Sequence, residues 1–381
     1  MKKIVMLSFP FFLIFFGFDA VQQYVTNFFQ EEGIVQAGFI SLALIYFCFA
    51  ISTFFAARAV SKYGAKKCMI FSAIFYGLFI FSLLGKFLVL IYLASALIGF
   101  SAAFLWTAAN SYVIRASTEK NYGANSGFFT AAKNLGSALG TILIGLFLIR
   151  LSFNSSFLIF AFFPLLGSLF LTSLPDVRVE KNTNNPGFFR NLFINKMSLQ
   201  LSIVQFYWSF VLGLVIGIIP LQIGSILGKQ YVGILSSLYF VILLSSYSFG
   251  KISDRKKRRI MIILSYITCL FGLVFLYFAK SAPILIFGFI FIGITEAVII
   301  PVMNAVIGDI SKEYAESLTA LFLLFQTIGV ISALLLSQVL TTNISLIYLI
   351  SIAVVIVSFF ISPFLRKNIE QLKKEVVKDI T

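Results

Sequence analysis

Residues 250–259 read Gly-Lys-Ile-Ser-Asp-Arg-Lys-Lys-Arg-Arg, a short basic segment between two apolar runs. A second basic segment, Ala-Arg-Ala-Val-Ser-Lys-Tyr-Gly-Ala-Lys-Lys at 57–67, begins 193 residues earlier. Offsets of 193 or 194 relate further pairs of positions along the chain: Gly99 and Gly293, Asn110 and Asn304, Arg115 and Asp309, Lys133 and Gln326, Gly136 and Gly329. A nearly constant register through separate segments indicates a duplication, so the chain is interpreted as two related halves in a parallel repeat.

Twelve apolar runs, each long enough to cross a bilayer, surround these segments. They lie at 4–25, 37–57, 68–84, 88–114, 124–149, 156–174, 199–222, 231–248, 260–278, 283–307, 317–338 and 343–365. Because a membrane-spanning helix needs about 20 apolar residues, the pattern predicts an all-α polytopic membrane protein. About 12 transmembrane helices are expected, as two six-helix bundles related by the parallel repeat. The domain boundaries follow: bundle 1–174, linker 175–197, bundle 198–365 and tail 366–381.

The composition excludes a protein that is folded in water. Hydrophobic residues make up 60% of the 381 residues and charged residues 11%, with a mean hydropathy of +1.01. Soluble domains carry roughly 45–50% apolar and 25% charged residues. The three cysteines lie in or beside apolar runs, so no disulfide framework is expected.

The net charge of +15 is explained by membrane orientation. The loops on the side of the two chain ends hold 24 of the 29 Lys and Arg residues, and the opposite loops hold 4. Such a bias in short loops is the positive-inside rule, so both termini and the linker are predicted to be cytoplasmic. The basic charge therefore gives no reason to expect a nucleic acid partner.

These motifs resemble the major facilitator superfamily. A loop of the form G-x-x-x-D-R-x-G-R-R/K between helices 2 and 3, echoed between helices 8 and 9, marks that family. The second copy matches it except at Lys257, whereas the first copy has Ala57 and Ser61 in place of the glycine and the acid. The first half also resembles the "uncoordinated"-type branch of ion-channel-regulatory proteins, through residues 17–22, 44–46, 63–66 and 99–112.

The second loop predicts a gate on the cytoplasmic side. Gly250 allows helix 8 to approach a neighbour closely, and Asp254 is expected at the positive N-terminus of helix 11. Arg255 is expected to pair with Asp309 at the end of helix 10. Because Ser61 cannot act as the acid in the first half, the gate is expected to depend mainly on the second half. The alternative is a plain basic loop that obeys the positive-inside rule.

Three ionisable residues fall well inside the spans: Asp19, Lys133 and Glu296. A charge at mid-bilayer costs about 2.5–3.5 kcal/mol, which makes an unused one improbable. At about 1.5 Å per residue, Asp19 lies about 22 Å and Lys133 about 13 Å from the cytoplasmic face. Glu296 and Lys133 share a level, so they are predicted to face each other across a cavity. The three residues are the predicted sites of proton or ion coupling. The alternative for Lys133 is snorkelling to the cytoplasmic interface, and the alternative for Asp19 is a local hydrogen bond near the outer mouth.

The resemblance implies that helices 1, 4, 7 and 10 line a central cavity. Polar or aromatic side chains inside the spans are its candidate contacts: Trp106, Asn110, Gln205, Asn304 and Gln326. With no nucleophile–base constellation, no phosphate loop and no histidine, neither an enzyme nor a cofactor or metal site is expected.

The sequence therefore predicts a secondary active transporter of an unidentified small molecule, working by alternating access with protons as the candidate coupling ion. The alternative is a non-transporting membrane regulator or trafficking partner with the same fold. A monomer in the plasma membrane is expected, with the lipid bilayer as its surroundings.

Overall fold

The computed structural model describes residues 1–177, 195–228, 231–255, 258–312, 315–340, 343–365 and 371. Within these residues, twelve helices are long and apolar enough to cross a membrane. In the first half they are α1 (Lys2–Gln22), α2 (Val35–Tyr63), α3 (Ala65–Leu84), α4 (Leu88–Arg115), α5 (Tyr122–Phe147) and α6 (Phe153–Leu171). The second half holds α7 (Lys196–Ile216), α8 in two pieces (Tyr231–Ile242 and Ser246–Arg255), α9 (Arg258–Tyr277), α10 (Ala282–Ile310), α11 (Ala315–Val339) and α12 (Ile344–Ile361).

The predicted fold class is confirmed, because each apolar run forms a helix and these helices are arranged as two bundles. A helix satisfies its own backbone hydrogen bonds, which a bilayer core demands of any spanning segment. Most of residues 175–197, the predicted linker, and all but one residue of the predicted tail 366–381 lie outside the described residues.

Each half has its own core of buried apolar side chains. Phe11, Phe79 and Phe157 belong to the core of the first half, and Tyr207, Tyr266 and Met303 to the core of the second. Between the halves, α2 packs against α11 and α5 packs against α8. The central space is therefore enclosed by helices from both bundles.

Helices 1 and 7 are interrupted at equivalent positions. Helix α1 ends at Gln22 and is followed by the short helix Val25–Glu31. Helix α7 ends at Ile216, and the short helix Ile218–Leu227 begins after Gly217. The two ends differ by 194 residues, which is the offset that relates the halves in the sequence. Helix α8 is also divided, with a 3-10 turn at Leu243–Ser245.

Two pairs of glycines let α5 touch the backbones of its neighbours. A Cβ at Gly123 would meet the backbone of Gly250 on α8, and one at Gly250 would meet Gly123 in return. Deeper in the membrane, Gly136 and Gly140 lie against the carbonyl groups of Phe12 and Phe16 on α1. Small residues allow such close helix packing in lipid, so α5 is in direct contact with both its own bundle and the other one.

The two ends of the bundle differ in charge. We call the end that holds Lys2, the α2–α3 turn, the α4–α5 turn and the α8–α9 junction the basic face, and the other end the opposite face. An even number of spans places both ends of the twelve-helix array at the basic face.

Candidate functional site

A central cavity lies between the two bundles, with a volume of about 160 Å³. Helices α1 to α5 contribute to its wall from the first half, and α7, α8, α10 and α11 contribute from the second. The walls carry carboxylates, one ammonium group, amides and aromatic rings, a mixture suited to a small molecule with polar and apolar parts.

All five side chains proposed from the sequence as cavity contacts line this space: Trp106, Asn110, Gln205, Asn304 and Gln326. Two of them join the halves. The amide of Asn304 donates to Asn110 Oδ1 at 3.3 Å and to Ser126 Oγ at 2.9 Å. These two asparagines hold α10 against α4 and α5 as well as facing the cavity.

Several lining residues were missed by the sequence reasoning. Gln22 and Tyr46 line the cavity from the first half, and Trp208 and Tyr239 from the second. The indole of Trp208 donates to Gln205 Oε1 at 2.6 Å. Helical spacing could have identified two of them, because Gln22 follows Asp19 by three residues and Trp208 follows Gln205 by three, which places each pair on one face of its helix.

The structure pairs Lys133 with Asp19. Lys133 Nζ lies 3.1 Å from Asp19 Oδ2, and their side chains are 14% and 9% exposed. Ser137 Oγ donates to the same carboxylate oxygen at 2.6 Å. The ammonium group of Lys133 thus binds the carboxylate of its own bundle, whereas Glu296 lies on the wall that the other bundle contributes to the same cavity. Both residues still line the cavity.

Glu296 has a different environment. Its carboxylate is buried on α10 and accepts a hydrogen bond from the hydroxyl of Tyr239 on α8. No ion pair forms at Glu296 among the described residues. The charges of Lys133 and Asp19 nevertheless act on it across the cavity. An ionised Glu296 would be a buried charge without a directly bonded cation, which is costly in a low-dielectric interior.

Asp254 binds the N-terminus of α5. Its two carboxylate oxygens accept from the backbone N–H groups of Gly123 at 2.9 Å and Ala124 at 2.7 Å. The N-terminus of a helix attracts an anion through its free N–H groups and its dipole. The predicted partner, helix 11, is wrong because α8 packs on α5, whereas α11 packs on α2.

Arg258 links this acid to α10. Its guanidinium donates to Asp254 Oδ1 at 3.1 Å and to both carboxylate oxygens of Asp309. The residue predicted from the sequence to pair with Asp309 was Arg255, whose side chain lies outside the described part of the structure. Arg258 begins α9 and stands four residues after Asp254, so a single cation reaches both acids. We call Gly250, Asp254, Arg258 and Asp309, together with the α5 N-terminus, the basic-face latch.

A second charged contact joins the two halves at the basic face. Arg115, at the end of α4, forms a bidentate pair with Glu316 in the first turn of α11, at 2.6 and 2.8 Å. The sequence does not single out Glu316, because it lies just before the apolar run 317–338 and a charge at the end of a span is common. In both charged contacts between the halves the acid comes from the second half, Asp254 or Glu316, while the first half supplies the α5 N-terminus and Arg115.

Contacts between the halves also occur on the opposite-face side of the cavity. Ser236 Oγ donates to Gln23 Oε1 at 3.1 Å. The hydroxyl of Tyr24 lies against Gly233 on α8, where a side chain would collide with it. The cavity is thus bracketed by contacts between the bundles on both sides.

Twelve spans in two related bundles around a shared cavity define the fold class of secondary transporters with a parallel repeat. The chain belongs to the Major Facilitator Superfamily, whose sequence model matches residues 7–222 and residues 201–379. This confirms the family predicted from the loop motif and establishes an integral membrane protein with a transporter fold.

Two solved transporters have a similar fold. The proton:xylose symporter XylE, solved with bound 6-bromo-6-deoxy-D-glucose, gives a TM-score of 0.76 over 97% of this chain and 98% of its own. The human organic anion transporter MFSD10 (TETRAN) gives 0.73 over 94% and 99%. Both are 12% identical to this chain, so the likeness concerns the fold alone.

The predicted resemblance to the "uncoordinated"-type branch is also confirmed. UNC93-like protein MFSD11 of Xenopus tropicalis and of Xenopus laevis is 30% identical over 145 residues, which are 37% of this chain. The match covers 33% of each relative, so the chain aligns with about one third of the length of these curated proteins.

Proposed function

We propose that this protein is a proton-coupled secondary transporter that carries a small solute through the central cavity by alternating access. The observation that supports the proposal best is Glu296. It is a buried carboxylate on the cavity wall that forms no ion pair among the described residues. Ionisable groups at this depth are rarely retained without a role in a substrate or ion pathway, and a carboxylate is able to take up and release a proton.

In this proposal the two bundles rock about the cavity. When the basic-face latch and the Arg115–Glu316 pair form, the cavity is closed to that side. When they separate, the contacts of Gln23 with Ser236 and of Tyr24 with Gly233 close the other side. The cavity is built from a single chain, which supports a monomer as the transporting unit.

Reconstitution in proteoliposomes tests the proposal directly. A panel containing a sugar, an organic anion and an organic cation should be assayed with and without an imposed pH gradient. We expect the gradient to change the steady-state level of at least one solute. If no solute crosses faster than in empty liposomes, the alternative is favoured, a membrane regulator or trafficking partner. The partial similarity to UNC93-like proteins motivates this second candidate function.

We propose that the basic face is cytoplasmic, because the charge bias follows the positive-inside rule, and that the protein lies in the plasma membrane. In a variant without the three native cysteines, Lys120→Cys on the basic face should be protected from a membrane-impermeant maleimide in intact cells. Lys280→Cys on the opposite face should react. Both residues are exposed. The reverse labelling pattern would contradict the orientation.

The basic-face latch should control the equilibrium between the two states. Asp254→Asn replaces a charged acceptor, whose hydrogen bonds contribute about 1.5–3 kcal/mol each. We therefore expect a shift of about tenfold or more toward the state that is open at the basic face, with slower turnover. A cysteine at Ser126, beside the Asn110–Asn304 contact, should then react faster with a reagent added from that face.

Ser61→Ala, at the equivalent loop position of the first half, is the comparison variant, and we expect it to change little. Glu316→Gln, which disrupts the pair with Arg115, should resemble Asp254→Asn. Equal opening by Ser61→Ala and Asp254→Asn would refute the assignment of the latch to these acids.

A further inference from the structure

The charges on the cavity wall do not balance. Asp19 and Lys133 neutralise each other at 3.1 Å, which leaves Glu296 as the remaining ionisable carboxylate of the wall. With Glu296 ionised, the described lining carries one net negative charge, in a protein whose total charge is +15. A buried charge of this kind is stabilised only by a proton or by another cation close to it.

The wall around this charge suits an organic cation. Eleven of the lining residues are aromatic. Two of these rings already face a cation: Lys133 Nζ lies 4.8 Å from the ring centroid of Phe15 and 5.8 Å from that of Phe240. Aromatic faces attract ammonium groups through their quadrupole, and more strongly in a desolvated site. Tyr239, which bonds Glu296, is adjacent to Phe240 and stacks edge-on against it at 5.4 Å.

We propose that the transported solute is a small organic cation and that it exchanges with a proton at Glu296. This rests on the proposed function and specifies its substrate. The protonated carboxyl group loses its O–H proton to water on the side to which the cavity is open, and the carboxylate then forms an ion pair with the incoming cation. After the bundles rock, the cation leaves and a proton from that side binds the same oxygen. One proton therefore crosses the membrane in the direction opposite to each monovalent cation, and the exchange is electroneutral.

The groups that face Glu296 fit this assignment. Helix α8 places Tyr239 there, α5 places Lys133, α1 places Asp19, and α2 and α3 place Tyr46 and Tyr76 on the wall. The lining residues that come from α4, α7 and α11 include no titratable side chain, and α9 contributes none to the described lining. Lys133 is held by Asp19, so no protein cation of the described lining is positioned to replace the proton on Glu296.

A neutral solute would act differently. Amides such as Gln205 and Gln326 could hydrogen-bond a polyol, but a neutral molecule leaves an ionised Glu296 without a counter-charge. Such a solute would bind only with the carboxyl group protonated, and proton and solute would then move together. A cation competes with the proton for one oxygen, so the two move in opposite directions. The direction of coupling separates the two cases.

Binding can be followed without transport, because the only two tryptophans, Trp106 and Trp208, both line the cavity. Purified protein in detergent should be titrated with choline and with benzyltrimethylammonium. The neutral carbon isostere of choline, 3,3-dimethylbutan-1-ol, and xylose serve as matched controls. We expect the cations alone to change the tryptophan emission and to release protons, detected by a pH-sensitive dye in weak buffer. Single Trp→Phe variants assign the signal.

Glu296→Gln should weaken cation binding about tenfold or more and abolish proton release. Glu32→Gln, an exposed carboxylate paired with Lys86 on the opposite face, should change neither. If the isostere or xylose binds as well as the cations, if neither cation binds, or if binding releases no proton, the cation assignment is wrong. Proton-coupled flux of a neutral solute would overturn this inference and leave the proposed function standing. Cation-dependent proton release without flux in liposomes would support cation binding at Glu296 and contradict the proposed transport function.

Discussion

Glu296→Gln is expected to abolish solute accumulation driven by a pH gradient, while solute exchange at saturating concentration continues. Glutamine keeps the size of the side chain and accepts a hydrogen bond from Tyr239, but it cannot carry a proton. Net coupled movement requires the proton to bind and leave, whereas exchange of solute for solute requires no net proton movement. Both activities are measured in the same proteoliposomes, the first with a pH gradient and the second with solute on both sides.

Two further variants sharpen this result. Tyr239→Phe removes the hydrogen-bond donor and keeps the carboxyl group, so gradient-driven accumulation should persist. Glu296→Asp retains a carboxyl group on a shorter side chain and should retain part of the coupling. If Glu296→Gln accumulates solute as the unmodified protein does, the proton site lies elsewhere, and Asp19 is then the next carboxylate of the cavity to test.

The second large effect concerns the buried pair of Asp19 and Lys133. Removing one partner of a buried ion pair leaves an uncompensated charge and costs about 3–5 kcal/mol. Asp19→Asn and Lys133→Gln should each lower the thermal unfolding midpoint of the purified protein markedly. The double variant should be more stable than either single variant, because it leaves neither charge alone. A double variant that is as unstable as the sum of both single changes would show that the two groups are not energetically coupled.

The exposed pair of Lys86 and Glu32 is the matched control for this experiment. Its atoms are 2.5 Å apart, but the side chains are 46% and 34% exposed. Solvent-exposed ion pairs contribute about 0–1 kcal/mol. Glu32→Gln should therefore shift the unfolding midpoint little, even though its ion pair is the shorter of the two.

Much of the fold was accessible from the sequence because hydropathy and the repeat are properties of single segments. A run of apolar residues identifies a span whatever its neighbours are, and the offset of 193 to 194 residues relates the halves without any knowledge of packing. Some polar residues of the cavity wall, such as Asn110 and Asn304, were also identified, since polar side chains inside a span have few other places to lie.

The partners of these residues could not be predicted in the same way. Counting residues from the ends of the spans placed Asp19 and Lys133 about 9 Å apart in depth, yet Lys133 Nζ lies 3.1 Å from Asp19 Oδ2. The count ignores helix tilt and the reach of the lysine side chain. The partner of Asp254 depends on which helix packs against α8, and helix packing cannot be inferred from the residues of one segment.

The distribution of bonds between the halves has a consequence for the speed of the cycle. The pair of Asp19 and Lys133 lies within the first bundle, and the bond between Tyr239 and Glu296 lies within the second. Rocking of rigid bundles therefore breaks neither of these deeply buried bonds. The charged contacts that must separate, Asp254 with the α5 N-terminus and Arg115 with Glu316, are at the basic face. Water can replace these contacts as they separate, so the activation barrier for the conformational change does not include the desolvation of a bare charge in the middle of the membrane.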